Sequence, residues 1–255
     1  MDSSQWLADF RDAASSRVQQ AEPDWAGGSR LTPGVARSLQ RFQVGESGDG
    51  RHLIAKAAAS GDADYADAVL LFVAEEQNHA RMLAELLRAG GYGTVKRHWS
   101  DTVFVRLRRA LGLRLEVMVL AIAEVIALRY YRALADGDDA LLTDVAQRIL
   151  DDEHRHVPFQ VDRLRAGFGD SAAGVRWIVE YVWRAMALVV TLVVALDHGP
   201  ALREVGVSRR RFVGDTARLF AGVVDDVFTT ARHTRRWQSR LPDAAAVRRG
   251  RRRSG

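Results

Sequence analysis

One four-residue pattern is written twice in this chain, and the spacing of its copies restricts the fold to a bundle of antiparallel helices. Glu76-Gln77-Asn78-His79 and Glu153-His154-Arg155-His156 are both E-x-x-H. Each follows an upstream glutamate by almost the same distance: Glu46 precedes Glu76 by 30 residues, and Glu124 precedes Glu153 by 29. Glu and His three apart on a helix face the same way, so both reach one point. Two glutamates about 30 residues apart share one height of an antiparallel helix pair only if the turn lies midway. The midpoints fall in Ser60-Gly61-Asp62 and at Asp138-Asp139, just after Gly137, and both carry turn chemistry. Each glutamate then stands roughly 22 Å from its turn, at a rise of about 1.5 Å per residue.

Chance supplies about 0.3 E-x-x-H matches in a chain of this Glu and His content, so two symmetric copies carry information that one would not. The bland alternative is two solvated helix faces whose charges coincide. Against it, Val117 to Leu128 is an apolar run whose single charge is Glu124. A carboxylate buried there needs a metal, a cation or a shared proton. Together Glu46, Glu76, Glu124 and Glu153 with His79 and His156 form the ligand set of a carboxylate-bridged two-metal site inside a helical bundle. Glu116 competes with Glu124, but it lies near Arg114 at the polar end of the helix and breaks the spacing symmetry.

The absence of Cys excludes a disulfide framework, a thiolate metal site and a cysteine nucleophile. The start, Met1-Asp2-Ser3-Ser4, is neither basic nor followed by an apolar stretch, so the expected compartment is the cytoplasm. The net charge of +5 equals the five arginines 248, 249, 251, 252 and 253. Residues 239–255 read as a disordered, solvated Arg-rich tail, and no specific nucleic-acid partner is expected. The run Ala185 to Leu196 is uncharged, but twelve residues are too few to span a bilayer. No transmembrane segment is expected; this run reads as a helix buried on most sides, or as the wall of an apolar cavity.

The remaining patterns give an all-α chain. Trp6, Leu7, Phe10, Ala14 and Val18 predict an N-terminal helix within residues 1–31. Thr32-Pro33 starts a second helix that runs to about Ser60. Gly45, Gly48 and Gly50 crowd around Glu46, marking a close approach, a kink or a break. Further helices are expected at about 63–89, 101–136, 139–167, 173–197 and 208–236. The four that hold the six candidate ligands form a bundle within 32–170. Two additional C-terminal helices within 171–238 pack on it.

The site segments resemble the ferritin-like di-iron carboxylate superfamily. Gly45-Glu46-Ser47 is similar to the first-helix segment of rubrerythrin-like proteins, and Glu76 to Leu83 to their ExxHAxxL segment. Asp152-Glu153-His154-Arg155-His156 fits the (D/E)-E-x-R-H fingerprint of acyl-carrier-protein desaturases and bacterial multicomponent monooxygenases. In the first copy Asn78 stands where that fingerprint has Arg. The resemblance implies that Glu46 and Glu124 are terminal ligands, that Glu76 and Glu153 bridge, and that His79 and His156 each hold one ion. It also implies that Glu75 and Asp152 accept the imidazole N–H of the opposite motif. Tyr131 joins them as a candidate hydrogen-bond donor or redox-active tyrosine. Two ExxH copies match ribonucleotide-reductase-like, desaturase-like and hydroxylase proteins better than ferritins.

The function implied is a di-iron oxidoreductase that activates dioxygen on a small organic substrate. A ferroxidase or storage protein and a manganese catalase acting on peroxide stand as alternatives. The implied cofactor is two Fe ions, or Mn in their place. An electron-donor protein and a homo-oligomer are the macromolecular partners considered. Nothing in the sequence names the substrate.

Overall fold

The computed structural model describes residues 1–96 and 112–228. All regular structure among them is helical. The helices are α1 (Ser3–Gln19), α2 (Pro33–Glu46), α3 (Arg51–Ala58), α4 (Ala63–Ala89), α5 (Leu113–Ala135), α6 (Ala140–Phe168), α7 (Ala173–Asp197), α8 (Gly199–Glu204) and α9 (Arg209–Phe228). The first part of the expected 101–136 helix, the end of the 208–236 helix and the Arg-rich tail lie outside the described residues.

Local chemistry sets the starts. Asp2 and Gln5 form a capping box on α1. Thr32 caps α2 with Pro33 in its first turn. Asp62 and Asp139 cap α4 and α6 by accepting the amides of Tyr65 and Leu142. These two caps sit at the sequence midpoints, so each glutamate pair returns to one height.

The bundle consists of α2 with α3, α4, α5 and α6. The α5–α6 pair makes the most extensive contact, α2 lies along α4, and α4 meets α6. α1 packs along α4 on the outside, and α9 fills the angle between α7 and the α5–α6 pair. The larger apolar core draws on α2, α4, α5, α6, α7 and α9. A smaller one joins α1, α3 and α4 to Leu120 and Phe159.

Three expectations need correction. The helix drawn from Thr32 to Ser60 is two helices, interrupted at residues 47–50 directly after Glu46. Gly50 has φ +63°, and a Cβ there would lie 2.6 Å from Val73, so the chain turns where only glycine fits. Glu116 is not at a polar end: it is fully buried, 2.7 Å from Lys56 Nζ. Finally, α7 is not buried on most sides. Trp183, Ala187, Thr191 and Ala195 are its only buried residues, and the apolar side chains opposite them are exposed. By length and composition alone its 25 residues would suffice to cross a membrane, which the twelve-residue count missed. The flanking apolar turns Val175–Val182 extend the run past the charges that interrupt it in sequence.

Candidate metal centre

The six candidate ligands come from four helices and converge. Glu46 is the last residue of α2, Glu76 and His79 lie mid-way along α4, Glu124 sits in the apolar stretch of α5, and Glu153 and His156 lie on α6. Two groups form. Ligand atoms of Glu46, Glu76 and His79 lie within 4.8 Å of one another, as do those of Glu76, Glu124, Glu153 and His156. Glu76 belongs to both. Its Oε1 is 3.5 Å from His79 Nδ1 and 3.2 Å from His156 Nδ1. Glu153 also faces both rings, with Oε1 3.8 Å from His79 Nδ1 and Oε2 3.6 Å from His156 Nδ1.

The far side of each imidazole is tied crosswise. His79 Nε2 pairs with Asp152 Oδ2 at 3.0 Å, and His156 Nε2 with Glu75 Oε2 at 2.9 Å. With Nε2–H donated to these acids, Nδ1 of the neutral ring carries the lone pair and points into the centre. Arg155 spans Glu75 and Asp152, and Arg17 from α1 reaches both acids, at 2.5 Å and 3.2 Å. Around the other ligands, Tyr131 donates its hydroxyl to Glu46 at 3.2 Å, and Gln160 donates to Glu124 at 2.8 Å. Phe72 meets the His156 ring edge-on at 4.6 Å, with Phe10 and Phe159 beyond it.

The electrostatics show what this cluster lacks. Burial and the neighbouring Glu76 push Glu46 well above the usual carboxylate range, and burial and Glu124 do the same to Glu153. Burial opposes charge on His79, yet the hydrogen bond to Asp152 and the nearby carboxylate of Glu76 hold it up to about 9. His156 is likewise pushed up, against its burial, by the carboxylates of Glu124, Glu153, Glu75 and Glu76. Glu76, despite its burial, is held well below its ordinary value by the two imidazoles. Asp152 and Glu75 are lowered in the same way by His79 and His156, with help from the arginines. Protons thus do the work of balancing charge at the centre.

The donor set fits two metal ions. Glu76 Oε1, His79 Nδ1, both oxygens of Glu153 and His156 Nδ1 are buried without hydrogen-bond partners. Buried polar atoms are normally satisfied, so each demands an explanation. Cations placed between them satisfy carboxylate oxygens and imidazole lone pairs together.

Sequence reasoning missed Arg17 and Gln160. Arg17 follows Phe10 by seven residues, on the same face of α1, and that spacing was a usable signal. Gln160 follows His156 by four and shares its face. Arg155 was visible in the fingerprint, but no role was attached to it.

Comparison with known proteins bears on the fold. No family model matches the sequence, and no curated protein matches it. Among solved structures the chain is similar to "Protein 19 with aldehyde deformylating oxidase activity from Synechococcus", at 22% identity and a TM-score of 0.60. The match covers 81% of this chain and 95% of that one. The architecture is a ferritin-like helical bundle, as the two motifs led one to expect.

Proposed function

We propose that this chain is a di-iron oxidoreductase that uses dioxygen to oxidise a small, largely apolar organic substrate. The observation that carries the reading is the convergence of six buried or half-buried ligand side chains, four of which (Glu76, His79, Glu153 and His156) turn buried atoms without a hydrogen-bond partner into the centre. Mixed carboxylate and imidazole ligands suit iron and manganese, and availability favours iron. When bound, such a pair supplies the electrons and the Lewis acidity for oxygen chemistry.

The protein's own part is positional. Glu76 and Glu153 each address both histidines, so they hold the two halves at a fixed separation. Asp152 and Glu75 fix the imidazole tautomers, and Arg17 and Arg155 keep those acids charged. Phe10, Phe72 and Phe159 exclude water on one side. Access is asymmetric. Glu46 and Glu76 are half-buried beside the exposed residues 47–49, whereas the other four ligands are fully buried. A substrate approaching past the α2–α3 interruption reaches the Glu46 side first. Aldehydes are the first compounds to test, because the structural neighbour is described by an activity on them.

The test is to load the protein anaerobically with iron, add a reductant, oxygen and a panel of aldehydes, and follow oxygen uptake and product. Two irons per chain with substrate-dependent oxygen uptake support the reading. Accumulation of many irons per chain without an organic product would move it to storage. Rapid oxygen evolution from peroxide by the manganese-loaded form would move it to a catalase.

A further inference from the structure

α7 presents an apolar surface of a kind that soluble chains normally cover. Its inner side, with Trp183 fully buried, packs on α9 and the bundle. The outer side is exposed over its length: Ile178 56%, Tyr181 69%, Val182 56%, Val189 59%, Leu192 44% and Leu196 63%. At 100° per residue these positions form one stripe, about 30 Å long from Val175 to Leu196. The stripe contains no charged side chain, because Arg176, Glu180 and Arg184 fall on the flank that turns towards the protein. Arg184 is held there by Glu180 and Asp225, and Asp197 at the far end by Arg41. The apolar side chains of the stripe and of the adjoining Trp177 expose on the order of 1,000 Å². Monomers rarely show a patch above a few hundred Å², and a standard interface takes about 800 Å² from each partner.

We propose that this face is the contact between two copies of this chain, packed antiparallel about a two-fold axis near Ala185. Ala185 is exposed at the middle of the stripe, where a small side chain lets two helices approach. A two-fold axis there sets Val182 opposite the partner's Val189 and Ile178 opposite the partner's Val193. The stacked Trp177 and Tyr181 at one end then meet the aliphatic end around Leu192 and Leu196. Such self-complementarity is what an isologous interface requires. Two of the flanking charges, Arg184 and Asp197, are neutralised within the chain, which suits a second copy better than the anionic headgroups that a surface-lying helix meets with free cations.

The experiment uses the full chain. Sedimentation velocity from low micromolar to tens of micromolar should give a species of twice 28.3 kDa. Val189→Glu should convert it to monomer with unchanged helicity and metal content. Because the chain has no cysteine, Ala185→Cys should form a disulfide-linked dimer on mild oxidation, whereas Val18→Cys, exposed on α1, should not. A dimer that survives Val189→Glu and does not cross-link through residue 185 overturns the proposal. So does a chain that stays monomeric and sediments with anionic phospholipid vesicles, since the face then belongs to a bilayer. A monomer indifferent to vesicles also overturns it.

Discussion

The two E-x-x-H copies are nearly identical in sequence and differently housed. The half built on α5 and α6 is closed: Glu124 is buried mid-helix and fixed by Gln160, and Glu153 and His156 have no exposure. The half built on α2 and α4 is open: Glu46 ends a helix, the next three residues are exposed, and Tyr131 reaches across from α5 to hold it. A pseudo-symmetric motif therefore builds an asymmetric centre, one half enclosed in the helices and the other beside the exposed residues 47–49.

Removing ligands should break the symmetry most strongly. Glu153→Ala is expected to drop bound metal from about two ions per chain to near zero, because Glu153 faces both imidazoles, and His156→Ala to drop it to about one. Glu46→Ala should leave about one ion. Metal analysis alongside circular dichroism checks this, since the helices should persist in all three. If Glu46→Ala strips both ions while Glu153→Ala keeps one, the roles of the halves are reversed.

Acidity separates the metal-free and metal-loaded proteins. His79, whose ordinary value is 6.5, is held up to about 9 in the fold. Its contribution to metal-free stability is full below about pH 6.5 and is lost as the pH rises through 9, at most about 3 kcal/mol. His156, Glu46 and Glu153 are raised too and act in the same direction. Metal ions must displace these protons, so loading strengthens as the pH rises. The Tm of metal-free protein should therefore fall between pH 6.5 and 9 while the gap to the loaded form widens. Calorimetry at three pH values decides it, and a metal-free Tm that climbs over this range would contradict the charge balance described for the centre.

Arg17 tests whether α1 belongs to the site or merely covers it. Arg17→Ala removes a cation shared by Glu75 and Asp152, the acids that orient both imidazoles. Metal affinity should fall by roughly 10- to 100-fold, the usual cost of losing an outer partner of a ligating histidine. Arg17→Lys should recover part of it. An unchanged affinity would leave Arg155 as sufficient on its own.

Much of this was legible before the structure. Midway turns, caps and the i, i+3 spacing are local signals, and they placed Glu46, Glu76, Glu124 and Glu153 at one height. What stayed hidden was tertiary. Arg17 comes from a helix whose docking no local pattern encodes. The exposure of α7 depends on which of its sides finds a partner, and hydropathy alone does not distinguish a buried helix from an uncovered one. Glu116 and Lys56 pair between helices about 60 residues apart, so neither could be assigned from its own neighbourhood. The glycines around Glu46 signalled an irregularity without saying whether the helix bends or ends.

That last ambiguity yields the smallest and most local test. Gly50 turns the chain from α2 into α3 with φ +63°, against the side chain of Val73. Gly50→Ala should cost about 1–2 kcal/mol for the left-handed backbone, and more for the contact with Val73. Gly48 has a negative φ and open space around its Cβ position, so Gly48→Ala should be neutral or slightly stabilising. Pairing Gly50→Ala with Val73→Ala relieves the contact but not the backbone strain, which separates the two costs in a denaturant titration. Because residue 50 adjoins only the open half, metal release in Gly50→Ala should speed up for one ion and stay unchanged for the other. Equal acceleration for both would mean that the interruption supports the whole centre and that the closed half is less independent than its burial implies.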